Sequence, residues 1–98
     1  MENYSLIGIR VYSKPIQAML NAINDLVELQ KGEVTFDDIS HGKISFSVEM
    51  YGFFWEYCFS VTEIDNDLSK ITLEIEGNIT NKADRLNRQF ALLESMFM

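Results

Sequence analysis

Apolar and polar residues alternate along residues 44–61, but the alternation changes phase part-way through this segment. In "ISFSVEMYGFFWEYCFSV" the large apolar residues occupy even positions up to Met50 and odd positions from Phe53 onwards. A single strand over this segment would be about 60 Å long, far longer than strands in globular proteins. We therefore predict two antiparallel strands joined by a tight turn at Tyr51 and Gly52, where the glycine supplies the backbone freedom that such a turn needs.

This pairing places the large apolar side chains of both strands on one face. The facing pairs are Met50 with Phe53, Val48 with Trp55, Phe46 with Tyr57, and Ile44 with Phe59. The opposite face receives mostly small and polar residues, paired as Glu49 with Phe54, Ser47 with Glu56, and Ser45 with Cys58. Because a shift of one residue would expose the whole aromatic set, the pattern strongly specifies this register.

The N-terminal part of the chain predicts a strand followed by a helix. Ile7, Ile9 and Val11 alternate with Gly8, Arg10 and Tyr12, which indicates a strand from Tyr4 to Tyr12 with one apolar face. Ser13 or Lys14 can cap the helix, and Pro15 suits its first turn. Its apolar stripe comprises Ile16, Met19, Leu20, Ile23, Leu26 and Val27. Gly32 is expected to close the helix in a left-handed conformation.

Four further strands and a helix follow. A second strand begins at Val34 and Phe36, and Asp37 and Asp38 favour a bulge that turns Ile39 inward. A turn at residues 40–43 leads into the third strand, the fourth ends near Ile64, and residues 65–69 form another turn. Ile71, Leu73 and Ile75 mark a fifth strand, which Gly77 and Asn78 end.

The last helix is predicted after a cap at Thr80 or Asn81, and Asp84 complements the helix dipole near its start. Its apolar stripe comprises Ala83, Leu86, Phe90, Leu93 and Phe97, with Leu92 and Met96 widening it.

The predicted order is therefore β-α-β-β-β-β-α in a single α+β domain over residues 1–98. Because each helix and each strand has one apolar face, we expect two layers, a curved antiparallel five-stranded sheet with both helices on one face. The outward face of the sheet would carry Ser45, Ser47, Glu49, Glu56, Ser60, Thr62, Thr72 and Glu74.

A strand, then "SKPIQAMLNAINDL" at residues 13–26, then antiparallel strands and a long C-terminal helix, resembles the helix-grip fold of the START and polyketide-cyclase-like superfamily. In that family a proline near the start of the first helix follows strand one, and the last helix lies across a curved sheet. The resemblance implies a cavity between the sheet and the last helix that holds lipids, sterols or aromatic small molecules. The family usually has six or seven strands, whereas this pattern predicts five.

The aromatic residues of the inner face support two interpretations that the sequence leaves open. Phe46, Trp55, Tyr57, Phe59 and Phe90 form either a filled core or the lining of a pocket for a small apolar ligand. A domain of this size needs such rings in its core, because each buried side chain contributes about 1.5–3 kcal/mol. The Tyr57 hydroxyl and the Trp55 indole N–H need hydrogen-bond partners if they are buried, so they are the candidate polar contacts to a ligand.

Composition and charge narrow the classes of function. The net charge of −7 repels phosphate backbones, so we expect no nucleic-acid partner. A single cysteine, Cys58, cannot form an internal disulfide, and together with the absence of a signal-peptide pattern it predicts a cytoplasmic protein. No apolar run is long enough to predict a membrane span.

No group of residues predicts catalysis, a metal or a cofactor. His41 lies in a turn distant from Cys58 on the predicted sheet, so a Cys-His pair is not expected. "DNDLSKITLEIE" matches the acidic positions of a calcium loop, but Lys70 stands where that loop requires glycine. We therefore predict a protein that is not an enzyme.

The C-terminal segment "LLESMFM" contains more apolar residues than one helical stripe can bury. We predict a homodimer contact formed by Leu92, Met96, Phe97 and Met98, and the alternative is a last helical turn that the rest of the chain fully encloses. The first functional hypothesis is a non-enzymatic binding or interaction module, homodimeric or bound to another protein. The alternative is a carrier of a small apolar ligand held between the sheet and the C-terminal helix.

Overall fold

The computed structural model describes residues 4–50, 53–77 and 82–97. The strands are β1 (Tyr4–Tyr12), β2 (Glu33–Asp38), β3 (Lys43–Met50), β4 (Phe53–Asp65) and β5 (Leu68–Gly77). The helices are α1 (Ile16–Leu29) and α2 (Lys82–Ser95), and a 3-10 turn spans Ile39–His41. The α+β class and the order β-α-β-β-β-β-α are confirmed.

The five strands form one antiparallel sheet in the order β1-β5-β4-β3-β2, with β1 and β2 at its edges. The predicted register of β3 against β4 is confirmed at every pair, from Met50 opposite Phe53 to Ile44 opposite Phe59. The turn proposed at Tyr51 and Gly52 lies outside the described residues.

Both helices pack on the same face of the sheet, and the core lies between the two layers. The predicted stripe of α1 is confirmed, because its buried positions recur at intervals of three and four. The fully or almost fully buried apolar residues are Met19, Ala22, Ile23, Leu26, Val27, Ile44, Phe46, Trp55, Tyr57, Phe59, Val61, Ile71, Leu73, Ile75, Phe90 and Leu93. The inner faces of β3, β4 and β5 therefore supply more than half of the core.

The apolar side chains of β1 lie on the outer side of the sheet, opposite to the side expected from the hydrophobic alternation. Ile7, Ile9 and Val11 are 54–58% exposed on the outer side of the sheet. The inner side of β1 carries Gly8 and Tyr12, and a Cβ on Gly8 would overlap the Leu86 side chain and lie 3.1 Å from Phe90 Cε2. The chain thus uses the small inner face of β1 to let α2 approach closely, so the inward apolar face expected from the alternation is wrong.

The predicted caps of α1 are also wrong. The N-cap position is Pro15, with φ −69° and ψ 155°, and neither Ser13 nor Lys14 caps the helix. Pro15 has no side-chain group that could accept a hydrogen bond, so the fixed proline φ and not a side-chain cap defines this helix start.

The C-terminal end of α1 is closed by Lys31 and Gly32 together. Lys31 takes the left-handed conformation with φ 55°, whereas Gly32 does not have a positive φ. The Lys31 N–H bonds to the Glu28 carbonyl at 3.1 Å and the Gly32 N–H to the Val27 carbonyl at 2.9 Å, which is the Schellman pattern. The prediction that Gly32 adopts the left-handed conformation is therefore wrong.

The bulge in β2 lies earlier than predicted. The register shifts between Val34 and Phe36, whereas Asp37 and Asp38 pair regularly with β3. Ile39 is exposed, not turned inward. Because β2 is an edge strand of the sheet, its bulge does not need to redirect a side chain into the core.

The predicted burial of Phe90 and Leu93 on α2 is confirmed, and Asp84 lies in the first turn of this helix. Ala83, which was assigned to the apolar stripe, is exposed. The caps predicted at Thr80 and Asn81 lie outside the described residues. Within the described ranges, neither helix is long and apolar enough to cross a membrane.

Candidate functional site

A cleft of about 290 Å³ opens between the sheet and α2, at the end of the molecule where α1 stops. Its lining residues come from the end of α1, from β3 and β4, and from one face of α2: Leu29, Gln30, Val48, Glu49, Trp55, Tyr57, Arg85, Arg88, Gln89 and Leu92. Three separate parts of the chain therefore build the cleft, and the β3–β4 register decides which strand residues reach it.

The aromatic wall of the cleft is formed by Trp55 and Tyr57. They lie two residues apart on β4, so their side chains project from the same face of the sheet. Val48, on the neighbouring strand β3, pairs with Trp55 and extends this wall. The Arg85 guanidinium lies over the Trp55 ring, with Cζ 4.4 Å from the ring centroid, a cation–π contact that orients the arginine.

The Tyr57 hydroxyl is a buried polar group of the cleft. Burial raises its pKa, while hydrogen bonds to Gln89 and Arg85 and the positive charges of Arg85 and Arg88 act in the opposite direction. Because the net pKa shift is upward from 10.0, Tyr57 is a neutral phenol at physiological pH. It can donate or accept a hydrogen bond at the cleft wall.

The side-chain amides of Gln30 and Gln89 bind each other in both directions. Gln30 Nε2 donates to Gln89 Oε1 at 2.9 Å, and Gln89 Nε2 donates to Gln30 Oε1 at 2.7 Å. Gln89 is only 3% exposed, so this pair satisfies an amide that would otherwise be costly to bury. The pair also joins Gln30, the residue directly after α1, to α2.

Among the residues that the structure describes, the charged ones that line the cleft are two arginines and one glutamate. Arg85 and Arg88 are three positions apart on α2, so they lie on neighbouring parts of one helix face. Glu49, on β3, also belongs to the lining, although strand alternation gives it the face opposite to its neighbour Val48. The cleft is therefore positively charged in a protein whose net charge is −7.

The five candidate pocket residues divide between cleft and core. Trp55 and Tyr57 line the cleft. Phe46, Phe59 and Phe90 are completely buried in the core, where the Phe46 ring lies 5.4 Å from the Tyr57 ring and 6.0 Å from the Phe59 ring. Ligand contact by any of them stays a prediction.

Sequence analysis missed the polar half of the cleft, which consists of Gln30, Glu49, Arg85, Arg88 and Gln89. A signal was available for α2, because residues 85, 88, 89 and 92 recur at the spacing of one helix face. Of these four positions only Leu92 was considered, as part of the apolar stripe. Only the tertiary packing shows that it borders the aromatic wall.

The residues assigned to a dimer contact have partners within the chain. Leu92 lines the cleft, and Met96 and Phe97 pack against the core. The Phe97 ring meets Tyr12 edge-on with 5.1 Å between centroids. Met98 lies outside the described residues. A homodimer stays a prediction, and these three side chains are partly buried within the chain itself.

The other residues weighed for chemistry lie away from the cleft. His41 is on the exposed 3-10 turn, where its Nδ1 lies 2.8 Å from Asp38 Oδ1, and the Ser40 hydroxyl donates to the same oxygen at 3.0 Å. The bond to His41 holds the pKa of Asp38 below its usual value. Cys58 lies opposite Ser45 on the outer face, as predicted.

No protein-family model matches the sequence, and a search of curated proteins finds no significant match. Solved structures do match. Ara h 8.0201 superposes with a TM-score of 0.76 at 9% identity, over 97% of this chain and 95% of that chain. Our 98-residue protein therefore has the helix-grip fold. A second match is norcoclaurine synthase from Thalictrum flavum, which was solved with dopamine and hydroxybenzaldehyde. It superposes on the helix-grip protein with a TM-score of 0.64 at 9% identity, and the match covers 97% of the helix-grip protein and 84% of the synthase.

A START superfamily protein from Mycobacterium smegmatis has the helix-grip fold in common with this chain as well, with a TM-score of 0.53 at 10% identity, over 91% of this chain and 92% of that one. The resemblance that the order of elements indicated is thus confirmed at the level of the fold. Identities of 9–10% to these three structures leave the chemistry of the site to be argued from this chain's own residues.

Proposed function

We propose that this helix-grip protein binds a small apolar molecule in the cleft between β3, β4 and α2, and that it does so without converting the ligand chemically. The observation that carries this proposal is the composition of the cleft. Apolar side chains of Leu29, Val48 and Leu92 and the aromatic wall surround a few fixed polar groups, which is the usual make-up of a small-molecule site.

The size of the cleft favours a compact ligand. Its volume of about 290 Å³ lies just below the usual range for ligand pockets, which is about 300–1,000 Å³. A cavity of about 150 Å³ holds benzene in an engineered protein core, so the cleft is large enough for a bicyclic aromatic compound or a chain of moderate length. A sterol or a long lipid would need a larger cavity.

The fold supports the same function. Proteins of this fold include one solved with dopamine and hydroxybenzaldehyde, which are small aromatic compounds. The cleft described above also lies between the sheet and the C-terminal helix, where the family resemblance predicts a ligand. Of the two hypotheses drawn from sequence, these observations favour the carrier over the interaction module.

Native mass spectrometry and thermal denaturation test the proposal. The purified protein is expected to retain a small molecule, or to be stabilised by added fatty acids or aromatic compounds. A ligand at a hundredfold excess over its Kd stabilises the folded state by about 2.7 kcal/mol, which raises the Tm of a domain this size by at least roughly 10 °C. No retained mass and no change in Tm across both compound classes would contradict the proposal.

Trp55 provides a direct probe, because it is the single tryptophan of the chain. Ligand binding is expected to change its fluorescence, and Leu92→Phe, which fills the cleft, is expected to weaken binding severalfold. The matched control is Ile9→Phe, which enlarges an exposed side chain on the outer face of the sheet. Equal binding by both variants would place the ligand somewhere other than the cleft.

A further inference from the structure

The distribution of positive charge around the cleft differs from that of the rest of the chain. Acidic residues outnumber Lys and Arg by 15 to 8, yet two of the three arginines, Arg85 and Arg88, line the cleft. At physiological ionic strength charges are screened beyond about 8 Å. A ligand inside the cleft therefore experiences mainly these nearby side chains and not the net charge of the protein.

The two arginines are held differently. Arg85 stacks its guanidinium face over Trp55 and also bonds to Tyr57. Stacking uses the face of the guanidinium plane, whereas a carboxylate is recognised through its edge, so the two interactions are compatible. The aromatic contact thus places a rigid cation at the boundary between the apolar wall and the open side of the cleft.

Arg88 lies one turn further along α2 and is exposed. No carboxylate among residues 4–50, 53–77 and 82–97 lies within ion-pair distance of it. Its charge nevertheless reaches the cleft wall, because it helps to lower the pKa of Tyr57 against the effect of burial. Glu49 lines the same cleft and partly offsets the two arginines.

On the basis of the proposed function, we infer that the ligand is a small apolar carboxylate whose hydrocarbon or aromatic part lies against the cleft walls and whose carboxylate binds Arg88 and Arg85. A neutral apolar molecule would fill the walls equally well but would form no charge-assisted hydrogen bond with the exposed Arg88 guanidinium. A cationic molecule would be repelled by both arginines and attracted only by Glu49.

Isothermal titration calorimetry with two matched pairs of compounds tests this inference: naphthoate against naphthamide, and decanoate against decanamide. Each pair has one apolar part and nearly one shape, and differs in the charge of the polar group. We expect the carboxylate of at least one pair to bind about tenfold more tightly than its amide, as a charge-assisted pair of hydrogen bonds predicts. This preference should shrink as salt is added.

Arg88→Gln is expected to lower the affinity for the carboxylate by a larger factor than the affinity for the amide, and so to remove most of the preference. The control is Lys70→Gln, which changes the net charge equally but lies beside Val11 and Thr62 on the other side of the sheet. Because Arg88 is exposed, its substitution should not unfold the chain, and circular dichroism checks this.

The possible failures are distinguishable. Equal affinities for carboxylate and amide in the unmodified protein would overturn the anionic ligand and leave the apolar binding site standing. An unchanged preference in Arg88→Gln, or an equal loss in Lys70→Gln, would also overturn it. Failure of all four compounds to bind would overturn the proposed function and this inference together.

Discussion

At the level of single residues, Gly32 and Lys31 divide two roles that one glycine usually fills at a helix end. Lys31 adopts the left-handed conformation, and Gly32 provides space, because a Cβ there would lie 2.8 Å from Phe46 Cδ2. The requirement for glycine at position 32 therefore comes from the packing of a core aromatic ring against the loop. Among the described glycines, Gly42 is the one whose backbone conformation requires glycine, with φ 74°.

Substitutions at these positions should have opposite effects on the free energy of unfolding. Gly42→Ala should destabilise the protein by about 2 kcal/mol or more, because a left-handed alanine costs roughly 1–2 kcal/mol and its Cβ would overlap the Val61 carbonyl. Lys31→Gly should be neutral or stabilise by up to about 1 kcal/mol, since it relieves a left-handed lysine. Urea denaturation measures both, and a stable Gly42→Ala protein would show that the turn at residues 39–42 can rearrange.

At the level of elements, β1 shows how contact with a helix can override hydrophobic alternation. Its apolar side chains point outward because its inner face must accommodate α2, which Gly8 permits. Arg10 and Tyr12 then reach α2 from the strand: the Tyr12 hydroxyl donates to Glu94 at 2.9 Å, and the Arg10 guanidinium lies 4.7 Å from the Phe90 ring centroid. The residues of the strand were predicted correctly, but the side of the sheet on which its apolar side chains lie was not.

Two substitutions on the neighbouring strands β1 and β5 test whether the apolar side chains of β1 lie on the outer side of the sheet. Ile9→Thr alters an exposed side chain and should change the free energy of unfolding by less than about 0.5 kcal/mol. Leu73→Ala on β5 removes a fully buried side chain and should cost about 2–5 kcal/mol. If Ile9→Thr proved as damaging as Leu73→Ala, then β1 would face inward, as its alternation alone suggests.

At the level of the whole molecule, the two layers bury phenol groups that stabilise the fold only while they are protonated. Burial raises the pKa of Tyr12 above its ordinary value of 10.0, and the hydrogen bond to Glu94 adds to this rise. Burial also raises the pKa of Tyr57. Folding therefore favours the neutral form of both tyrosines.

The stability of the protein should consequently decrease at alkaline pH. The contribution of each tyrosine is fully present below pH 10.0 and is lost as the pH rises toward the higher pKa of the folded state. Thermal denaturation as a function of pH should show a fall in Tm above about pH 10. Tyr12→Phe should be less stable at neutral pH, because it loses the bond to Glu94, but its Tm should fall less steeply. An identical slope in the variant would assign the alkaline loss to other groups.

Local patterns in the sequence were sufficient for most of the fold. The phase change at residues 50–53 predicted the register of β3 against β4 to the residue, because the period of a strand is two and a shift of one position would exchange its faces. The stripe of α1 and the order of elements followed in the same way. Each of these features depends on residues near one another in the chain.

Tertiary structure alone determined three features: which side of β1 faces the core, why position 32 is glycine, and which residues form the polar half of the cleft. Gly8 and Gly32 are required by side chains of Leu86 and Phe46, which are distant in sequence. Arg88 borders the aromatic wall only because α2 crosses the sheet beside Trp55. Periodicity identifies the face of an element that is apolar, but the shape of the neighbouring element determines which face is buried and which residues of three separate segments meet to form a site.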